Sequence, residues 1–285
     1  MIAKYYQLIK PGIIRGNAIT AAAGFFLASK GNIDWGLLLA LLTGVSLVMA
    51  SGCVANNYID RDIDAKMQRT KSRALARNTI AGHHAIIYSI ILAIAGFGVL
   101  AAFTNLLTVL VGVVGFVDYV VLYGWSKRKS VHGTLVGTIA GATPPVAGYV
   151  AVTNRLDAVA CLLFLILVLW QMPHFYAIAI RRMDEYKAAK LPMMPIVKGV
   201  KSTKIQMIIY AAGFTAAIAL LSLLDYVGMV YLVVMLVISW IWLKLIASGF
   251  SAPNNQLWAK QVFLFSLLVL LAFSFMISID TYLKQ

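Results

Sequence analysis

Charge is scarce in this chain: only 12% of its 285 residues are Asp, Glu, Lys or Arg, and the acids number ten. A soluble domain of this length carries about a quarter charged residues, so the shortage, with 61% hydrophobic residues and a mean hydropathy of +0.87, excludes one. Cysteine is almost absent. Cys53 and Cys161 both fall in apolar runs, far apart and without a partner at metal-ligand spacing, which excludes a disulfide framework and a zinc site and leaves two thiols packed against core or lipid. Short alternating strands are missing too, which argues against an outer-membrane barrel. No low-complexity tract or linker divides residues 1–285, so a single integral-membrane domain is expected.

What is present is a series of long apolar runs. A helix needs about 20 mostly apolar residues to cross the hydrocarbon core with its backbone satisfied internally. Nine such runs are found, near 12–30, 35–57, 83–103, 106–124, 134–152, 157–180, 205–224, 226–247 and 261–282. The expectation is an all-α membrane protein of nine transmembrane helices, with a cytoplasmic N-terminus and the C-terminus on the outer side. The first run follows basic residues as a signal peptide would, and "AITAAAG" could pass for a cleavage region. Arg15 and Asn17 shorten its apolar core, and eight further runs follow, so it is read as a retained span.

A net charge of +14 could mean nucleic-acid binding in a soluble protein, but its distribution points elsewhere. With the N-terminus inside, 21 of the 24 cationic residues fall on inner segments, and only Lys30, Arg155 and Lys284 fall outside. One missed or invented helix would reverse every later loop, so the asymmetry supports the count and the orientation together. The outer connections are short. The inner ones, 60–82, 125–133, 181–204 and 248–260, are long and polar, which is where chemistry on one side of a membrane would collect.

The acids of the second run stand out. Asn56, Asp60 and Asp64 are spaced by four, so on a continuing helix successive members are offset by about 40° and share a face. Asp62 lies off that face and Asn57 one position aside. Two carboxylates and an amide offer the hard oxygens that suit Mg²⁺, an ion that keeps several waters and shares its remaining positions with phosphate. Lys66, Arg69, Lys71, Arg73 and Arg77 follow directly and suit a polyanion. On the residues alone, a solvated helix end whose aspartates pair with inside-positive neighbours accounts for the pattern equally well.

The run Asn56-x-x-x-Asp60-x-x-x-Asp64 followed by "RTKSRAL" resembles the first signature of the UbiA-type intramembrane prenyltransferases, which use it to hold Mg²⁺ and a prenyl diphosphate. Within that superfamily the chain is most similar to the haem-farnesylating subgroup, through "KPGIIRGN" (10–17), "SGCVANNYIDRDID" (51–64), "GTIAGATPPVAGY" (137–149), "LWQMPHFYAIAI" (169–180) and "LPMMPIVKG" (191–199). The resemblance implies Mg²⁺-assisted transfer of the farnesyl group of farnesyl diphosphate to a vinyl group of haem b, a substrate rather than a resident cofactor. It also implies a bacterial inner membrane, an active site toward the cytoplasm, and haem A synthase or a terminal oxidase as candidate downstream partners. Nucleic acid has no place in it.

Residue by residue, the resemblance implies Asn56, Asp60 and Asp64 on the metal, and Arg69, Lys71, Arg73, Lys127 and Arg128 on the diphosphate. Tyr123 and Lys127 look like the family's Y-x-x-x-K element, where tyrosine can donate to phosphate and lysine supplies charge. The second acidic signature departs from that of aromatic-acceptor relatives. Only Asp184 and Glu185 are available, behind Arg181 and Arg182, either for a second Mg²⁺ or simply for pairing with the arginines. His174 is expected to meet the acceptor or to be a hydrogen-bonded packing histidine. Trp170, Phe175 and Tyr176 are candidate aromatic walls, and Arg181, Arg182 or Lys198 candidate partners for propionates. His83, His84 and His132 read as interfacial. Asp118, inside the fourth run, is either functional or held by a bundle hydrogen bond. Pro144-Pro145 is expected to interrupt the fifth run. Prenylation of a quinone precursor, or a non-catalytic transporter or haem-handling protein, remain the alternatives.

Overall fold

The computed structural model describes residues 2–283; Lys284, counted above among the outer cations, lies outside the described residues. Every regular element among them is helical: α1 (Ile2–Leu8), α2 (Pro11–Ser29), α3 (Trp35–Ile59), α4 (Arg61–Asp64), α5 (Gly82–Phe103) and α6 (Leu106–Val117) come first. A π-helical turn (Asp118–Leu122) leads into α7 (Tyr123–Lys129), α8 (Gly133–Thr153) and α9 (Ala158–Arg181). Then come α10 (Met183–Ala188), α11 (Met194–Val197), α12 (Gly199–Leu223), α13 (Met229–Ala247), a 3₁₀ turn (Ser248–Ser251) and α14 (Asn255–Leu283).

Eight helical stretches among the described residues are long and apolar enough to cross a bilayer: Trp35–Ile59, Gly82–Phe103, Leu106–Lys129, Gly133–Thr153, Ala158–Arg181, Gly199–Leu223, Met229–Ser251 and Asn255–Asp280. They match eight of the nine expected runs. The remaining run, 12–30, forms α2, whose 19 residues include Arg15, Asn17 and Thr20 and are less apolar.

Side-chain oxygens start several of these helices. Asp34 accepts from the Leu37 amide at α3, Asn105 from Thr108 at α6, and Asp157 from Val159 and Ala160 at α9, each satisfying donors that a helix N-terminus leaves open. Asn105 also donates to the Val150 carbonyl at 2.7 Å, and Tyr149 donates to Asp157 at 2.8 Å, so the short connections before α6 and α9 are tied to α8.

Helices α2, α8 and α9 form the centre, with α3 and α14 against them and α5, α6, α12 and α13 outside. Helix α2 packs backbone to backbone on α8. A Cβ on Gly24 would lie 2.0 Å from the Pro145 carbonyl oxygen, and one on Gly148 2.0 Å from that of Ala21, so only glycine permits this approach. The outer helices expose Ile90, Ile94, Val114, Ile209, Val233 and Trp240, an apolar surface that suits acyl chains rather than water. Cys161 joins this exposed surface, whereas Cys53 is buried.

The proline pair does not interrupt its helix, contrary to expectation; α8 runs unbroken from Gly133 to Thr153. Pro144 has no N–H to give the Ala140 carbonyl, and the Thr143 hydroxyl donates to that oxygen at 2.8 Å instead.

Candidate active site

Helix α3 ends at Ile59, yet the ladder carries through the junction: the Asp60 amide donates to Asn56 O at 2.9 Å and the Asp64 amide to Asp60 O at 2.7 Å. The four-residue spacing therefore survives into α4. Asn56, Asp60 and Asp64 are all buried, while Asp62, off that face, is exposed.

Each buried acid is met by a cation from elsewhere in the chain. Lys127 of α7 pairs with Asp60, and Arg73 from the loop after α4 pairs with Asp64 at 2.8 Å while also donating to Asn57 Oδ1 at 3.2 Å. Arg128 grips the exposed Asp62 with both guanidinium nitrogens, at 2.8 and 2.9 Å, and reaches Asp60 at 3.4 Å. The hydrogen bonds from Arg128 outweigh the burial penalty and hold the Asp62 carboxyl at about 2. Arg69 and Lys71 are exposed. The Arg69 amide donates to Glu185 at 3.2 Å, and Lys71 stands outside the cluster.

Two groups here escaped the sequence reading. Lys10 precedes α2 in a left-handed conformation, and its Nζ lies 3.0 Å from Asn56 Oδ1 and 3.4 Å from the Tyr119 hydroxyl. Burial pulls the Lys10 ammonium down to about 8. Tyr119 stacks on Tyr123, with ring centroids 5.9 Å apart and planes 10° apart, and the Lys127 ammonium lies 4.8 Å over the Tyr123 ring. Lys10 is 46 residues from its partner and reads as one more inside-positive charge, whereas Tyr119 looks like any aromatic in a span.

The π-helical turn positions Tyr123 and Lys127. Asp118 opens it, buried, with one carboxylate oxygen accepting the Ala140 amide at 3.0 Å and the other without a hydrogen bond. Asp118 thus ties the turn to the α8 segment that Pro144 has deprived of a donor. An inserted residue of this kind rotates everything after it relative to a regular helix. It also brings Tyr123 so close to Gly137 that a Cβ there would lie 2.6 Å from the ring.

The α9 residues separate into two places. His174 and Trp170 are buried against α14: His174 Nδ1 is 2.7 Å from Ser266 Oγ, Trp170 Nε1 donates to Ser266 O at 2.8 Å, and the two rings stack at 4.8 Å. Phe263 lies 4.9 Å from the imidazole, and Phe175 lies 5.3 Å from it. Tyr176 turns to Gln206 of α12 at 2.9 Å, and Gln171 turns to the Thr138 carbonyl of α8 at 3.1 Å. None of these side chains touches the acidic cluster. Arg181 lines a cleft of about 480 Å³ with Arg182, Asp184, Glu185, Asn254, Gln256 and Leu257, between the C-terminal end of α9 and the N-terminal end of α14.

Of the two later acids, Asp184 is exposed and Glu185 is engaged, accepting from Arg182 at 2.6 Å as well as from Arg69. Burial opposes its ionisation, but these bonds win and hold its pKa below the ordinary value. With Ile63, Met67, Ala189 and Leu191 packed alongside, Glu185 fastens the loop after α4 to α10.

Among the described residues no group of three or more His, Cys, Asp or Glu could hold a metal. An ion caged wholly by protein therefore does not fit here. Asp60, Asp64 and Asn56 do fit Mg²⁺ of the kind bound by one or two carboxylates and completed by water and phosphate oxygens.

Residues 17–274 match the UbiA prenyltransferase family. The chain belongs to that family. It is 50% identical over 281 residues to the protoheme IX farnesyltransferase of Serratia proteamaculans, covering 98% of this chain and 95% of the relative. It is 48% identical over 286 residues to the protoheme IX farnesyltransferase of Photorhabdus laumondii, covering 100% and 97%. The family fold recurs in a digeranylgeranylglyceryl phosphate synthase structure, with a TM-score of 0.80, 22% identity and 98% coverage of both chains. It recurs again in a UbiA homologue from Archaeoglobus fulgidus bound to GPP and Mg²⁺, with a TM-score of 0.74, 17% identity, and 96% and 99% coverage.

Proposed function

We propose that this prenyltransferase moves the farnesyl group of farnesyl diphosphate onto a vinyl group of haem b. The allylic C–O bond breaks and diphosphate leaves with its electron pair, one vinyl carbon forms a C–C bond to the farnesyl group, and water captures the cation left on the other carbon as a hydroxyl, releasing a proton. The relatives' names favour this acceptor over a quinone precursor, and they favour catalysis over transport. The observation that carries the diphosphate half is the buried face of Asn56, Asp60 and Asp64, with Arg73 and Lys127 already drawn onto its carboxylates.

Asp60, Asp64 and Asn56 would hold Mg²⁺, which when bound supplies Lewis-acid neutralisation of the charge gathering on the departing diphosphate. Lys127, Arg73 and Arg128 exchange their carboxylate partners for diphosphate oxygens, so the ion pairs hold the cations in place until substrate arrives. Arg69 and Lys71, exposed on the adjoining loop, close over the same anion. Tyr123 donates its hydroxyl to a phosphate oxygen, and its stacked pair with Tyr119 offers an aromatic face to the allylic cation. Trp170 and His174 meet the acceptor ring, and Arg181 meets a propionate at the cleft.

In the membrane, α2 makes a ninth span beside α8 and α14, residues 1–285 act as one domain, the N-terminus faces the cytoplasm and the C-terminus the outside. The setting is the inner membrane of a bacterium, with haem A synthase or a terminal oxidase receiving the product. The test is to incubate purified protein with Mg²⁺, farnesyl diphosphate and haem b. Mass spectrometry should find haem increased by one farnesyl and one hydroxyl group, with diphosphate released and both products lost on chelation. Intact haem with no diphosphate would contradict the reading.

A further inference from the structure

Arg73, Lys127 and Arg128 meet Asp60 and Asp64, yet a fourth cation reaches the same face from the start of α2. Lys10 Nζ lies 3.0 Å from Asn56 Oδ1. It forms no ion pair among the described residues, so its charge is not spent on a carboxylate. Around the buried face, Lys10, Arg73 and Lys127 stand against Asp60 and Asp64. Arg128 is largely matched by Asp62. One positive charge is left over in a half-buried place, where an unmatched cation is costly unless an anion comes to it.

The backbone is arranged to put it there. Lys10 has φ 52 and ψ 67 with Pro11 following, a left-handed conformation that lysine rarely adopts and that surrounding structure must enforce. The enforcement is visible: Asn57 Nδ2 donates to the Leu8 carbonyl at 2.8 Å, and Leu8 is buried in a cluster with Val54, Leu75, Ile80 and Ala85. The residue next to Asn56 on α3 thus clamps the turn that aims Lys10 at Asn56. Beside the ammonium, Asn56 Nδ2 is buried with no hydrogen-bond partner, a second donor awaiting an acceptor.

We infer that Lys10 is a diphosphate-binding residue, delivered to the prenyl-diphosphate site by the strained turn between α1 and α2. The ammonium and the Asn56 amide together present donors to oxygens of one phosphate. This rests on the diphosphate half of the proposed reaction and is independent of the acceptor.

The test uses the full-length protein in detergent and the unreactive analogue farnesyl thiodiphosphate, with binding measured by calorimetry with and without Mg²⁺. Farnesol, which lacks the anion, serves as the second probe. Lys10→Ala should weaken the analogue at least tenfold under both metal conditions, Lys10→Arg should recover most of that loss, and farnesol should bind all three proteins alike. Unchanged analogue affinity in Lys10→Ala, an equal loss of farnesol, or failure of Lys10→Arg to recover would each overturn the assignment. Absence of analogue binding by the wild-type chain would overturn the diphosphate reading along with it. A wild-type chain that binds the analogue but leaves haem b unmodified would refute only the acceptor.

Discussion

Where α3 meets α4, two buried carboxylates are each held by a cation from another element, whereas on α9 the buried rings of His174 and Trp170 are bonded to Ser266. The first place is electrostatic and assembled from distant parts of the chain: Lys10, Arg73, Lys127 and Arg128. The second is aromatic and formed between two neighbouring helices. The acids that end α9 sharpen the contrast, because Glu185 is consumed by Arg182 and the Arg69 amide and Asp184 is exposed. A prenyl transfer needs both kinds of surface, one to take charge from a leaving diphosphate and one to receive an apolar acceptor. On the proposed reading, the chain keeps them on different helices.

The sharpest break in this comparison comes from the acids. Asp64→Asn should lower diphosphate release by about 10²–10³-fold, in the range seen for loss of a major electrostatic contributor, while the protein still elutes as a folded species. Lys127→Ala should lose comparable activity and also stability. It leaves Asp60 buried without its main partner, a change that costs about 3–5 kcal/mol where such pairs are closed to water, read as a fall in the thermal midpoint.

His174→Ala probes the other side. It should raise the KM for haem b by about tenfold, the scale of one lost hydrogen-bonded aromatic contact, and leave farnesyl thiodiphosphate affinity unchanged. A parallel loss of analogue affinity would mean that the two places are not separable.

Asp62→Asn gives the smallest effect. The folded carboxyl sits at about 2 against about 3.9 in an unfolded chain, so its contribution is present above pH ~4 and fades as pH falls toward 2. The variant should therefore trail the wild type by under about 1 kcal/mol at pH 6, with the gap closing in acid, because the pair is exposed. Thermal unfolding at pH 6 and near pH 2.5 measures it.

The sequence revealed the acidic face because four-residue spacing on a helix is a local rule, and it held across the junction at Asp60 by two backbone hydrogen bonds. The apolar runs were equally legible, since bilayer thickness sets their length. Lys10 was hidden because its partner lies 46 residues away and every inner lysine satisfies the same charge bias. The π-helical turn leaves no pattern in composition; it depends on Asp118 finding the Ala140 amide on another helix. The proline pair misled for a related reason: the Thr143 hydroxyl supplies the hydrogen bond that Pro144 cannot. His174 announced itself as a costly polar group, but only the position of Ser266 shows that it faces α14 rather than the acids.

The central claim is that Asp60 and Asp64 share a divalent ion with a prenyl diphosphate, and Mn²⁺ in place of Mg²⁺ makes that sharing visible to electron paramagnetic resonance. With farnesyl thiodiphosphate present, bound Mn²⁺ should show coupling to phosphorus, and the coupling should vanish in Asp60→Asn and Asp64→Asn. Phosphorus-coupled Mn²⁺ persisting in both variants would place the metal elsewhere and contradict the account.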